Sequence, residues 1–150
     1  MEESEEIKAV LMLNEKGSFG TAAYDVFVTS VTGKDLTSKK DKELSDSDRT
    51  EIRVKEVNVL NNFITIAINS KKLMISGLHG TIVTPFFGAS LATNYRIASE
   101  DMVFSLIHHN YGLHAGGALP FFLPKYMGLG KATKYVINGG QIPAKEALDM

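Results

Sequence analysis

The chain has 150 residues, enough for one domain with a buried core. It is 44% hydrophobic and 22% charged, as ordinary globular proteins are, and its net charge of −1 gives no bulk electrostatic case for nucleic acid or an anionic membrane. Cysteine is absent, which excludes disulfides and thiolate chemistry and fits a reducing compartment. No apolar run approaches the ~20 residues of a membrane span, and the opening MEESEEIK is too acidic for a signal peptide.

In chain order, Met1 to Glu6 reads as the end of an acidic helix or a frayed terminus. Ile7 to Leu13 is a short apolar run and predicts a buried strand. Asn14 to Gly20 reads as a loop, and the small residues from Ser18 to Ala23 suggest a strand-to-loop edge near a ligand or an ordinary turn. Val26 to Ser47 is polar, with interleaved charges of both signs, and reads as a mobile surface segment. Asp48 with Glu51 fits a capping box that opens a helix. From there Ile52, Val57, Leu60, Phe63, Ile64 and Ala67 keep helical spacing to about Ser70.

Leu73 to Leu78 predicts a second buried strand that ends at His79-Gly80. Pro85 suits the first turn of a short helix running to about Thr93. Tyr95 to Ala98 and Met102 to Ile107 are strand candidates. Gly116, Gly117 and Pro120 interrupt the chain before two short helices, the second near Lys131 to Ile137 and closed by Gly139-Gly140. A further helix begins around Ile142 to Ala147. Strands alternating with helices make an α/β chain of one domain, residues 1–150, without internal repeats. The stretch from Ile75 to Pro124 holds all four histidines and three of the four prolines, and its small residues suit close approach of backbone to a ligand.

Four segments together resemble the crotonase (enoyl-CoA hydratase/isomerase) superfamily. NYRIASEDMVFSL, Asn94 to Leu106, is similar to its D-x-R-I-A-S-E-x-A-x-F segment. GLHAGGALPFFLPKYMGLGKA, Gly112 to Ala132, resembles its G-x-x-P-x-x-G-x-x-x-x-L-P-R-x-x-G segment. NGGQIPAKEALDM resembles T-G-x-x-I-x-A-x-E-A, and IKAVLMLNEKGSFGTAAYDVF resembles I-R-A-V-V-L-T-G-x-x-x-A-F-S-A-G-A-D-L. The resemblance runs from Ile7 to Met150, in the family's order. It implies a spiral of ββα units, trimers or dimers of trimers, and an acyl-CoA thioester as substrate, with no cofactor beyond that coenzyme A. A cytoplasmic or organelle-matrix location goes with it. The family's hairpin before the first matched strand and its helices after the last matched residue are not in this chain, which looks clipped at both ends. A fragment of that kind is expected to be poorly stable as a monomer.

In such sites two backbone N–H groups hold the thioester oxygen and stabilise an enolate. The resemblance places the first donor at Ala23, with Ala22 and Tyr24 where the family has glycine and aspartate. Contacts to coenzyme A are implied for Lys16, Phe19, Thr21 and Ala23; Lys125 is a further candidate for its phosphates. The second donor position falls on Pro85, which has no N–H, so that Phe86 N–H serves only with the register moved by one. The family's two glutamates fall on Gly88 and His108.

His108 is the candidate for proton transfer, because imidazole titrates near neutral pH. The alternative is a half-buried histidine bonded to backbone. His108 and His109, if on a strand end, face opposite ways. His79 suits a turn and His114 a loop, and no acidic pair near them has metal-ligand spacing. Phe86, Phe87, Phe121 and Phe122 read as core or as the wall of an acyl pocket. Three functions stand side by side: an acyl-CoA hydratase or isomerase, a non-catalytic acyl-CoA binding or assembly subunit, and another thioester chemistry such as hydrolysis or decarboxylation.

Overall fold

The computed structural model describes residues 4–34 and 43–150. Along them run β1 (Ala9–Leu13), α1 (Thr21–Thr32), α2 (Asp46–Asn69), β2 (Leu73–Leu78), β3 (Thr81–Val83), α3 (Thr84–Ser90), β4 (Tyr95–Ala98), β5 (Val103–Leu106), a 3₁₀ turn (His108–Tyr111), α4 (Leu119–Met127), α5 (Leu129–Asn138), β6 (Gly140–Pro143) and α6 (Ala144–Leu148). The strands form two three-stranded sheets, ordered β1-β2-β4 and β3-β5-β6. All pairings are parallel except β5 with β6.

The path is a repeated step. β2 runs in the first sheet, the chain turns at Gly80 (φ 65°), β3 enters the second sheet, and α3 leads back. β4, β5 and α4 repeat the step. This is the ββα spiral expected for the family, in an α/β fold. Apolar residues from both sheets meet the helices in one core: Met74 and Leu78, Ile82, Phe87, Phe104, Leu123 and Ile142. Phe87 and Phe104 stack there with centroids 3.7 Å apart. A second cluster joins Tyr24 and Val28 of α1 to Ile52 of α2, Val83 and Tyr111.

Several expectations need correction. The polar stretch from Val26 begins inside α1, because Tyr24 and Val28, one turn apart, bury the same helix face. Gly33 (φ 70°) ends that helix. Of the rest of the supposed mobile segment, residues 35–42 lie outside the described residues, and Asp46 and Ser47 already belong to α2. The capping box sits three residues earlier than Asp48-Glu51. Ser45 accepts from Asp48 N–H (3.2 Å), and the Asp48 carboxylate accepts from Ser45 N–H (2.7 Å). That carboxylate is held down at a pKa of about 2 by Lys34 and by Ser45.

β1 is an edge strand rather than a buried one, with Leu11 and Leu13 facing outward. β3 and β6 are too short to leave a sequence signal; β6 replaces the expected helix start with a strand paired antiparallel to β5. Val57 is exposed, and Glu56 takes the inward place between Ile52 and Leu60.

The tightest contact joins α3 to the turn before α4. A Cβ on Gly88 would lie 2.3 Å from the Gly117 carbonyl oxygen, and a Cβ on Gly117 would lie 2.0 Å from that of Pro85. Gly117 also needs φ +63°. Only two glycines allow the backbones this close. Gly117→Ala is therefore expected to lose about 2–4 kcal/mol of stability, from left-handed strain and overpacking together. Gly130, on α5, has nothing within 4 Å and no such φ; Gly130→Ala is expected to gain up to about 1 kcal/mol. Denaturant melts of the two variants check both, and equal behaviour would contradict the contact.

Candidate active site

The N-termini of α1 and α3 meet through β3. Val83 N–H donates to the Phe19 carbonyl (2.8 Å), and the Phe19 and Phe86 rings stack at 4.3 Å with 11° between planes. Ala23 is the third residue of α1, whose first internal bond runs from Tyr24 N–H to Gly20. Phe86 is the third residue of α3, after Pro85. Third-position N–H groups have no acceptor in their own helix, and the helix dipole favours negative charge there. Both residues are half-buried, while Pro85, Phe87 and Gly88 are buried. Lys16 and Thr21 are exposed and Phe19 is half-buried along the connection into α1. Phe19 thus joins the connection into α1, which leads to Thr21 and Ala23, to the first turn of α3 at Phe86. Pro85 keeps its place but has no N–H to give.

The two glutamate positions are filled differently. At Gly88 the Gly116-Gly117 backbone occupies the space a side chain would need. His108 is buried, in a 3₁₀ turn and not on a strand end; its ring lies 4.0 Å from that of His109, so the two do not face opposite ways. Nε2 of His108 meets the Val136 carbonyl (2.9 Å), and Nδ1 meets Thr84 Oγ1 (3.1 Å). A carbonyl only accepts, so Nε2 carries the hydrogen and Nδ1 accepts from the Thr84 hydroxyl. The Thr84 oxygen in turn accepts from Ile107 N–H (2.9 Å). His109 Nε2 bonds the Ile137 carbonyl.

The two imidazoles thereby cap the last carbonyls of α5. Burial lowers the His108 pKa and keeps the ring neutral. As placed, neither nitrogen of His108 is directed at open space. His79 has the turn role expected of it, bonding Asn14 through its backbone N–H and its ring. Phe87 and Phe122 are core, whereas Phe121 is exposed beneath Lys125 (3.6 Å to the ring centroid).

The residues that sequence reading passed over surround Glu56, the only buried carboxylate among the described residues (6% exposed). Tyr24 Oη donates to its Oε1 (3.2 Å) and Arg53 Nη1 meets its Oε2 (3.2 Å). Arg53 also donates to the His114 carbonyl (3.2 Å). The carboxylate lies against Gly116, where an added Cβ would sit 2.9 Å from Oε1. Burial raises the Glu56 pKa, against the opposing pull of Arg53 and Tyr24. The sequence signal was available: Glu56 falls in step with Ile52, Leu60 and Ile64, a charge in the middle of an apolar stripe.

Elsewhere a mostly apolar cavity of about 670 Å³ opens between α3, β4 and α6, lined by Leu78, Phe87, Leu91, Phe104, Tyr126 and Leu148. Neither Ala23 nor Phe86 lines it. Among the described residues no group of three His, Asp or Glu is placed to hold a metal, and no helix is long and apolar enough to cross a membrane.

His108 carries a pH dependence. Its folded pKa is lowered, so the unfolded chain binds the proton more readily. Its contribution to stability is present above the ordinary histidine pKa and is lost as pH falls through the region below it. The difference in thermal midpoint between the parent and His108→Gln should shrink as pH drops from 7.5 to about 5; a constant difference would contradict a neutral capping ring.

The enoyl-CoA hydratase/isomerase family model matches residues 27–150, taking in Phe86, Gly88 and His108 but not Ala23. A probable enoyl-CoA hydratase of Bacillus subtilis is 35% identical over 79 residues, 53% of this chain and 31% of that protein. A solved probable enoyl-CoA hydratase/isomerase of Mycobacterium abscessus is 26% identical, covers 64% of this chain and 37% of that one, and has a TM-score of 0.58. A second such structure from the same organism covers 97% of this chain and 51% of its own, at 19% identity and a TM-score of 0.70, a likeness of fold. The chain spans about a third of the curated relative's length. On the breadth of the family match, this chain belongs to the enoyl-CoA hydratase/isomerase family.

Proposed function

We propose that the chain binds an acyl-CoA thioester with its carbonyl oxygen at the N–H groups of Ala23 and Phe86, and that these stabilise an enolate. The observation that carries this reading is the meeting of the two helix N-termini, tied by the Val83-to-Phe19 hydrogen bond and the stacked Phe19 and Phe86 rings. Each N–H is the third of its helix, and two such donors suit an oxygen that gains negative charge. Phe86 takes the place of the donor lost at Pro85. Lys16, Phe19 and Thr21 lie on the connection into α1 and its first residue and are proposed to meet the coenzyme A portion. Assembly into trimers, with a cytoplasmic or matrix location, belongs to the same proposal.

Hydration in the family's usual manner is disfavoured, since it needs a carboxylate pair over the double bond. Gly88 has no room for one, and His108 is engaged as a cap. These observations also support a second reading, a binding or assembly subunit that holds the thioester without turning it over.

Calorimetry with butyryl-CoA and crotonyl-CoA, followed by a turnover assay on an enoyl-CoA panel, tests both readings. Thioester binding is expected. Ala23→Pro, which removes one donor, should weaken binding about tenfold or more, as the loss of a hydrogen bond to a charged or polarised oxygen does. Gly88→Glu should lower stability without creating hydratase activity. Binding without turnover of any substrate favours the second reading. Absence of thioester binding overturns both.

A further inference from the structure

The family's two glutamate positions hold no carboxylate, yet one buried carboxylate lies among the elements that carry the proposed donors. Glu56 comes from α2, which contributes no residue to the site inferred from the family's motifs. Its surroundings tie it to that site from two sides. Through Tyr24 (3.2 Å) it is bonded to α1, one residue beyond the donor Ala23. Through Gly116 it touches the turn whose next residue, Gly117, packs on α3 at Pro85 and Gly88. The missing side chain at Gly116 is what lets the carboxylate in: a Cβ there would sit 2.9 Å from Oε1 and 3.2 Å from Oε2.

We propose that Glu56 is the acid–base carboxylate of this site, delivered from α2 across Gly116 in place of a glutamate on α3 or on the 3₁₀ turn. The inference rests on the acyl-CoA reading above. The step is a proton transfer. The C–H bond α to the thioester carbonyl breaks and its proton passes to a Glu56 carboxylate oxygen. The electron pair moves onto the thioester oxygen as an enolate, held by Ala23 and Phe86 N–H. Once the Glu56 carboxyl has traded its proton for a solvent deuteron, return of that deuteron to the same carbon gives exchange, and delivery of the proton or deuteron to the γ carbon of an unsaturated chain gives isomerisation. One carboxylate suffices for either, and no water is added.

The groups facing Glu56 suit the role. Tyr24 stays a protonated donor, because burial and the neighbouring carboxylate push its pKa up. Arg53 holds the second oxygen and is itself anchored on the His114 carbonyl. Beyond Tyr24 stands Tyr111, edge-on at 5.1 Å and bonded to Asp25 (2.5 Å). The carboxylate titrates above its ordinary range because it is buried, which makes it a better base near neutral pH than an exposed glutamate. A purely structural bridge between α1 and α2 would use the same contacts but would not move a substrate proton.

The test measures butyryl-CoA binding by calorimetry and exchange of its α-hydrogens in D₂O by NMR, for the parent chain, Glu56→Gln and Tyr24→Phe. Glu56→Gln keeps the shape and the bond from Tyr24. It should bind within about twofold of the parent and lose exchange by at least about 100-fold, the contribution of a positioned base. Tyr24 lowers the Glu56 pKa, so Tyr24→Phe should move the acid limb of the exchange profile to higher pH. Equal binding and equal exchange in Glu56→Gln overturn the proposal. A parent chain that binds but exchanges nothing overturns it and leaves the binding reading standing. A parent chain that binds no thioester removes the acyl-CoA reading and this proposal together. If Glu56→Gln does not fold, the Tyr24→Phe limb decides: an upward shift supports the proposal and an unmoved limb overturns it.

Discussion

The backbone of α3 lies directly on the backbone of the Gly116-Gly117 turn, and the site is arranged around that contact. Gly88 and Gly117 each leave about the space of a Cβ to the backbone segment packed against it. The contact fixes where α3 points its first turn, which carries Phe86 and Pro85. It closes the place from which a family glutamate would reach. It also sets Gly116 over α2, where a carboxylate from Glu56 fills the gap. A substitution at either glycine therefore disturbs the core, the donors and the buried charge together. Helix packing at this distance is a steric matter first, and the chemistry follows from what the steric solution leaves room for.

Electrostatics then divides the work between two kinds of group. In the proposed site, two helix N-termini offer N–H groups to an oxygen that gains charge, and preset donors of that kind need no reorganisation. A single carboxylate is buried beside them, with Tyr24 and Arg53 meeting its two oxygens. Burying a charge without partners costs several kcal/mol. Tyr24 and Arg53 offset part of that for Glu56, yet burial outweighs them and its pKa rises. His108 is the opposite case. It is a titratable group buried as a neutral donor and acceptor, used to close the end of α5.

Much of the architecture was legible in the residues. Leu73 to Leu78 and Tyr95 to Ala98 read as strands because apolar or β-favouring runs of that length have few alternatives, and Pro85 marked the start of α3. The motif order carried the ββα spiral. Other elements were hidden by their physics. α1 was missed because its buried face needs only Tyr24, Phe27, Val28 and Val31 among polar neighbours, and β3 and β6 are held by pairing more than by composition. For the candidate site, motif order marked Ala23, Phe86 and Gly88 as positions to examine, since backbone positions follow the chain path. Glu56 has no motif position; the apolar stripe of α2 marks it as an inward charge, and only the fold brings it to Gly116. His108 showed the reverse, since its position suggested chemistry while its Nε2 closes the end of α5 and its Nδ1 meets the Thr84 hydroxyl.

The most direct measurement is a crystal structure of the chain with a non-reactive acyl-CoA analogue bound. The account predicts the thioester oxygen at about 2.7–3.1 Å from both the Ala23 and the Phe86 nitrogen, with the α-carbon turned toward Glu56. An analogue bound with its carbonyl oxygen remote from both nitrogens would contradict it, as would one seated only in the cavity between α3, β4 and α6.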